Sequence, residues 1–168
     1  MTRESEMKKI FLFDWGNTLM VDFPEQHGKM CHWEYVESVS GAKKVLEVLS
    51  QSHPIYVATS ARDSSELEIH EAFKRAELSD YIDGYFCVAN IGLEKNCPEF
   101  YQAILSTLSV DGSQVVMVGD VLEKDIFPAI EAGLSAVWLS DASETESQNL
   151  PAEVMKISSI RELLDLNL

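Results

Sequence analysis

Short apolar runs alternate along this chain with longer stretches in which apolar residues recur at helical spacing. Ile10-Phe11-Leu12-Phe13 is wholly apolar and stops at Asp14, followed by the turn-forming Gly16-Asn17-Thr18, which reads as a buried strand entering a turn. Further short strands are predicted at residues 55–58, 85–88, 115–118 and 136–139. Between them, helical spacing predicts helices over 41–50, 64–76, 98–108 and 124–132. Pro98 suits a first helical turn, and Gly133 a helix end. Pro128 is tolerable only near a first turn, which leaves the start of that helix open. Residues 140–152 read as a polar loop and 160–166 as a closing helix. Residues 19–39 have no clean period and are expected to form an irregular flap. Strands separated by helices require right-handed crossovers, so the expected fold is α/β. It is a three-layer α/β/α sandwich with a Rossmann-like parallel sheet, one domain over 1–168 with the flap at about 19–39.

Parallel strands share a direction, so the polar residues at their carboxyl ends gather on one sheet edge. The first strand delivers Asp14 there, and the second delivers Thr59 and Ser60. The loop after the third leads to Lys95, while the fourth gives Asp120, with Asp125 five residues on. Two carboxylates can hold a hard divalent cation such as Mg²⁺. A lysine and a hydroxyl can neutralise and orient phosphate oxygens, leaving one carboxylate to attack phosphorus.

The order of these groups resembles the haloacid dehalogenase-like (HAD) hydrolase superfamily. Asp14-Trp15-Gly16-Asn17-Thr18 is similar to its first motif, Asp-x-Asp-x-Thr, and Val57-Ala58-Thr59-Ser60 to its second. Lys95 before a Pro98-started helix is similar to the third. Gly119-Asp120 with Asp125, followed by Ala132-Gly133, is similar to the fourth, Gly-Asp-x4-Asp. The resemblance implies a Mg²⁺-dependent phosphohydrolase passing through an aspartyl-phosphate on Asp14. Thr59 and Lys95 would assist, and Thr59, Ser60 and Lys95 would hold the phosphoryl group. Asp14, Asp120, the Gly16 carbonyl and Asp125 would hold Mg²⁺, with Asp125 assisting from behind the direct ligands.

The first motif departs from the family at Gly16, where most family phosphatases carry a second Asp that shuttles a proton. Glycine can offer its carbonyl to a metal and tolerates a strained turn, but it transfers no proton. General acid–base catalysis is typically worth about 10²–10⁴-fold, so alkyl phosphates stand to suffer most. Three outcomes stay open. The substrate needs no protonated leaving group, another residue (His27, His32 or Asp22) supplies the proton, or the chain is a weak or inactive phosphate-binding protein. Asp-Trp before a small residue also resembles phosphonoacetaldehyde hydrolases, which need a lysine from a cap domain. The intervals from Asp14 to Thr59 and from Thr59 to Lys95 have no room for a full cap. A capless, HAD-like chain is expected, with a large substrate or a second copy of the chain covering the site. Receiver domains use similar groups, but in an order that does not fit.

Composition narrows the partners. With 28 acidic against 13 basic residues, the net charge of −15 disfavours nucleic acid and anionic membrane surfaces. No apolar run approaches the roughly 20 residues that span a bilayer, and the polar N-terminus has no signal-peptide core. Three cysteines without a CxxC pair suggest neither a disulfide framework nor a zinc site. A cytoplasmic protein acting on a phosphorylated substrate is the expectation.

Overall fold

The structure, a computed structural model, describes residues 8–140 and 150–168. In chain order the elements are β1 (Ile10–Phe13), α1 (Ala42–Leu49), β2 (Ile55–Ala58), α2 (Glu66–Arg75), β3 (Gly84–Phe86), α3 (Val88–Ile91) and α4 (Pro98–Leu108). Then follow β4 (Val115–Gly119), a π-helical turn (Leu122–Ile126), α5 (Phe127–Glu131), β5 (Ser135–Leu139) and β6 (Val154–Ile157). The six strands form one sheet in the order β3-β2-β1-β4-β5-β6, and every neighbouring pair is parallel. The chain winds outward from β1 in one direction and from β4 in the other. The crevice between these two strands is therefore the switch point at which ligands bind in such sheets.

Period-two alternation in β1 builds the layers. Phe11 and Phe13 pack on one face with Val45 and Leu46 of α1 and Ile69 and Phe73 of α2. Ile10 and Leu12 pack on the other with Phe100, Tyr101 and Ile104 of α4 and Ala129 of α5. All four strand residues are buried, as a strand covered on both faces requires. The α/β/α sandwich is as expected, and among the described residues there is no separate cap in either interval.

Local differences have local causes. The third strand is shorter and earlier than 85–88, because Asn90 caps Cys87 and starts α3 (Cys87 N to Asn90 Oδ1 2.9 Å). The helix expected over 124–132 is a π-helical turn followed by α5, with Pro128 in the first turn of α5. β6 is an addition at the sheet edge. The closing segment is a 3₁₀ helix, Ile160–Asp165, capped by Ser159 and Glu162. Of the loop expected over 140–152, residues 141–149 lie outside the described residues.

The flap is irregular, with one 3₁₀ turn at Met30–His32. It is nonetheless anchored. Met20 is fully buried and bridges both Gly16 and Ser38, and Trp15 Nε1 donates to Met20 Sδ at 3.3 Å. Arg75 of α2 donates to the flap carbonyl of Trp33 at 2.6 Å.

Candidate active site

β1, β2 and β4 each end in polar residues, and these close on one cleft of about 540 Å³ at the carboxyl edge of the sheet. Asp14, Thr59, Ser60, Lys95, Asp120 and Asp125 all line it, as does Gly16. The structure therefore brings together every residue expected to act in catalysis, hold phosphate or hold the metal, though not every candidate proton donor. His27 and His32 are exposed and lie outside this lining, whereas Asp22 is within it.

Lys95 is the hub. Its side chain is buried, and Nζ lies 2.5 Å from Asp14 Oδ1, 2.7 Å from Asp125 Oδ1 and 3.0 Å from the Ala58 carbonyl. Those three acceptors match the three protons of an ammonium. The Lys95 amide donates to Ser60 Oγ at 3.2 Å, tying the β2 loop to the lysine loop. Thr59 is almost buried, and its Oγ1 accepts from the Ala61 amide at 3.1 Å, forming a local turn.

Asp14, Asp120 and Asp125 each present an oxygen within 4.8 Å of the others. The Lys95 ammonium pairs with two of the three, Asp14 and Asp125, so the protons of the cluster are held unevenly. Burial is the largest influence on Asp14 and acts upward. The Lys95 ammonium, with hydrogen bonds to Asp120 and Lys95, outweighs it and holds the carboxyl below its ordinary value. Burial, a hydrogen bond shared with Asp14, and repulsion from Asp14 and Asp125 push Asp120 up to about 8. Burial and repulsion from Asp14 raise Asp125 to about 6, with Lys95 working against the rise. Lys95 is held above its ordinary value: burial opposes this, but Asp14 and Asp125 prevail. An all-oxygen set of crowded carboxylates suits a hard divalent cation, which would relieve the repulsion.

Gly119 explains how Asp125 reaches the site. A Cβ there would collide with Cβ, Cγ and Oδ2 of Asp125. Asp125 Oδ2 also accepts from the Val121 amide at 3.0 Å, which fixes the π-helical turn against the end of β4. Gly16 differs from the expectation of a strained turn. Its φ lies outside the left-handed region, and the strained position is Asn17, at φ 59°. Asparagine is one of the few side chains that adopts this conformation readily.

Sequence reasoning gave no role to Thr18. Its side chain is buried, and Oγ1 lies 3.3 Å from Asp14 Oδ2 and 3.4 Å from Asp120 Oδ1. One hydroxyl thus links the ends of β1 and β4. Its place in the quoted first motif was the available signal.

Comparison with known proteins follows the same lines. The sequence profile of the haloacid dehalogenase-like hydrolases matches residues 32–133, and the chain belongs to that family. It is 30% identical over 105 residues to a glyceraldehyde 3-phosphate phosphatase of Pyrococcus abyssi, covering 62% of this chain and 43% of that protein. It is 31% identical over 146 residues to a ribulose-1,5-bisphosphate 5-phosphatase of Halopiger xanaduensis, covering 80% and 60%. The chain thus spans under two thirds of the length of these relatives. In fold it is similar to a HAD phosphatase from Thermococcus onnurineus (TM-score 0.74, 17% identity, 94% and 96% of the two chains). It is likewise similar to a 2-haloacid dehalogenase from Pseudomonas syringae (TM-score 0.76, 17% identity, 95% and 97%). Among the described residues no helix is long and apolar enough to cross a membrane.

Proposed function

We infer that the chain is a Mg²⁺-dependent phosphohydrolase that forms an aspartyl-phosphate on Asp14. The observation that carries this reading is the meeting of three carboxylates within 4.8 Å around one buried lysine, at the switch point of the sheet. The named activities of the relatives, hydrolysis of small phosphate esters, support the same chemistry.

Asp14 is held ionised by Lys95, which keeps a nucleophilic oxygen available at neutral pH. Lys95, already oriented by Asp125, would offset charge on the phosphoryl oxygens without reorganising during the reaction. Thr59 and Ser60 at the cleft wall would orient those oxygens. Asp14, Asp120, Asp125 and the Gly16 carbonyl are the groups that would hold Mg²⁺, which supplies charge stabilisation for the phosphoryl group. The substrate is a phosphorylated small molecule or a larger phosphorylated partner reaching an uncapped cleft. The compartment is read as cytoplasmic. A second copy of the chain is one candidate cover for the cleft.

Gly16 favours a second reading, in which the chain binds a phosphorylated ligand with little turnover. Steady-state hydrolysis of para-nitrophenyl phosphate with Mg²⁺ separates the two, because nitrophenolate leaves without a proton. Wild type should exceed Asp14→Asn by at least a hundredfold. Equal rates would leave the binding reading standing.

A further inference from the structure

The cleft contains a carboxylate for which the reading above has no use. Asp22 lies on the flap, and its side chain packs where Gly16 lacks one. A Cβ at Gly16 would stand 3.5 Å from Asp22 Cβ, 3.8 Å from its Oδ2 and 3.9 Å from its Cγ. A carboxyl carried by residue 16 and the carboxyl of Asp22 would thus share one neighbourhood of the cleft. These distances are ordinary van der Waals contacts, so neither backbone strain nor lack of room for a Cβ dictates glycine at 16.

The backbone of Asp22 is also held in place. Asn17 Oδ1 accepts from the Asp22 amide at 3.1 Å, and the Asn17 amide donates to the Met20 carbonyl at 2.6 Å. The neighbouring Val21 amide donates to Glu37 O at 2.8 Å. The acid therefore sits on a tethered turn that begins at β1, directly after the nucleophile's own segment.

We propose that Asp22 supplies, from the flap, the proton that residue 16 cannot. The assignment rests on the hydrolase reading of the cleft. In the first step Asp14 forms a bond to phosphorus while the ester P–O bond breaks. The electron pair goes to the leaving oxygen, which takes the proton of the Asp22 carboxyl and departs as an alcohol. In the second step water attacks the aspartyl-phosphate and gives one proton to the Asp22 carboxylate. The bond from phosphorus to Asp14 breaks, releasing phosphate and restoring both acids. A proton matters most where the leaving group is a poor one, so the substrate class is alkyl phosphate monoesters.

The test compares an alkyl ester, glycerol phosphate, with an aryl ester, para-nitrophenyl phosphate, at saturating Mg²⁺. Asp22→Ala and the isosteric Asp22→Asn should each lose about 10²–10⁴-fold in kcat on the alkyl ester. Both should lose at least tenfold less on the aryl ester, with melting temperatures close to wild type. Asp63→Asn, another exposed acid of the cleft, should leave the alkyl-to-aryl ratio unchanged. Gly16→Asp placed in the Asp22→Ala background should recover at least tenfold on the alkyl ester. Equal losses on both esters, no loss on either, or a changed ratio in Asp63→Asn instead would overturn the assignment. If wild type is no faster than Asp14→Asn on either ester, the hydrolase reading fails first and the role of Asp22 falls with it.

Discussion

The ammonium of Lys95 lies 2.7 Å from Asp125 Oδ1, and both side chains are all but closed to solvent. Because the same nitrogen also holds Asp14, the lysine is a structural member of the cluster as well as the proposed ligand for phosphate. Removing one partner of a buried ion pair costs about 3–5 kcal/mol, since the remaining charge is left uncompensated. Lys95→Met, which keeps most of the volume, should therefore lose about that much stability in metal-free urea denaturation at pH 8. A loss below about 1 kcal/mol would mean that the lysine is not holding the cluster together.

The crowded acids of the cluster set a pH dependence with a definite sign. Asp120 and Asp125 have folded values of about 8 and about 6, both above the ordinary 3.8. Between about pH 4 and 8 the native state thus binds protons that the unfolded chain has released. Stability falls as pH rises through that window. Asp14 is shifted downward and acts only below the window, and Lys95 is shifted upward and acts only above it. Without divalent metal, melting temperature should decline from pH 5 to 8, and Asp120→Asn should flatten the decline. Because a cation replaces the missing counter-charge, Mg²⁺ should raise the melting temperature more at pH 8 than at pH 5. A metal-induced shift that is larger at pH 5 would contradict the placement of the cation among these three acids.

Gly119 has no room for a methyl group, because Asp125 occupies that space. Gly119→Ala is expected to cost about 1–3 kcal/mol, as overpacking does in a closed interior. It should also weaken Mg²⁺ binding by displacing Asp125, as measured by calorimetric titration. Normal metal affinity in a destabilised variant would separate the close packing from the cation site.

Asn17 has two tasks, the left-handed backbone conformation and the bond to the Asp22 amide. Asn17→Gly keeps the first and removes the second, whereas Asn17→Ala removes both. On the positioning argument both variants lower the alkyl-to-aryl activity ratio several-fold, and the alanine variant is the less stable by about 1 kcal/mol. An unchanged ratio in both would show that the flap holds Asp22 without this bond.

How far the chain could be read in advance depended on where the information lay. Asp14, Thr59 and Asp120 were legible because each directly follows an apolar strand, and a parallel sheet sends such positions to one edge; Lys95 and Asp125, set further along the chain, were legible only from their spacing within the motifs. β6 was not, because Met155 and Lys156 are exposed at the sheet edge and interrupt any apolar run. The π-helical turn was hidden for another reason: its geometry follows from Asp125 reaching back across Gly119, a contact that no local pattern encodes. Asp22 could be named as one of three candidates from the flap, but its approach to Gly16 depends on Met20 bridging both Gly16 and Ser38. That is tertiary information.

Met20 makes the flap a lever with its pivot in the hydrophobic interior. The residue is fully buried, it takes a hydrogen bond from Trp15 immediately after Asp14, and it lies two positions before Asp22. The separation of Asp14 and Asp22 therefore depends on how Met20 is seated in the apolar interior. A substitution that shrinks Met20 would retune the cleft from beneath, with every polar residue in it unchanged.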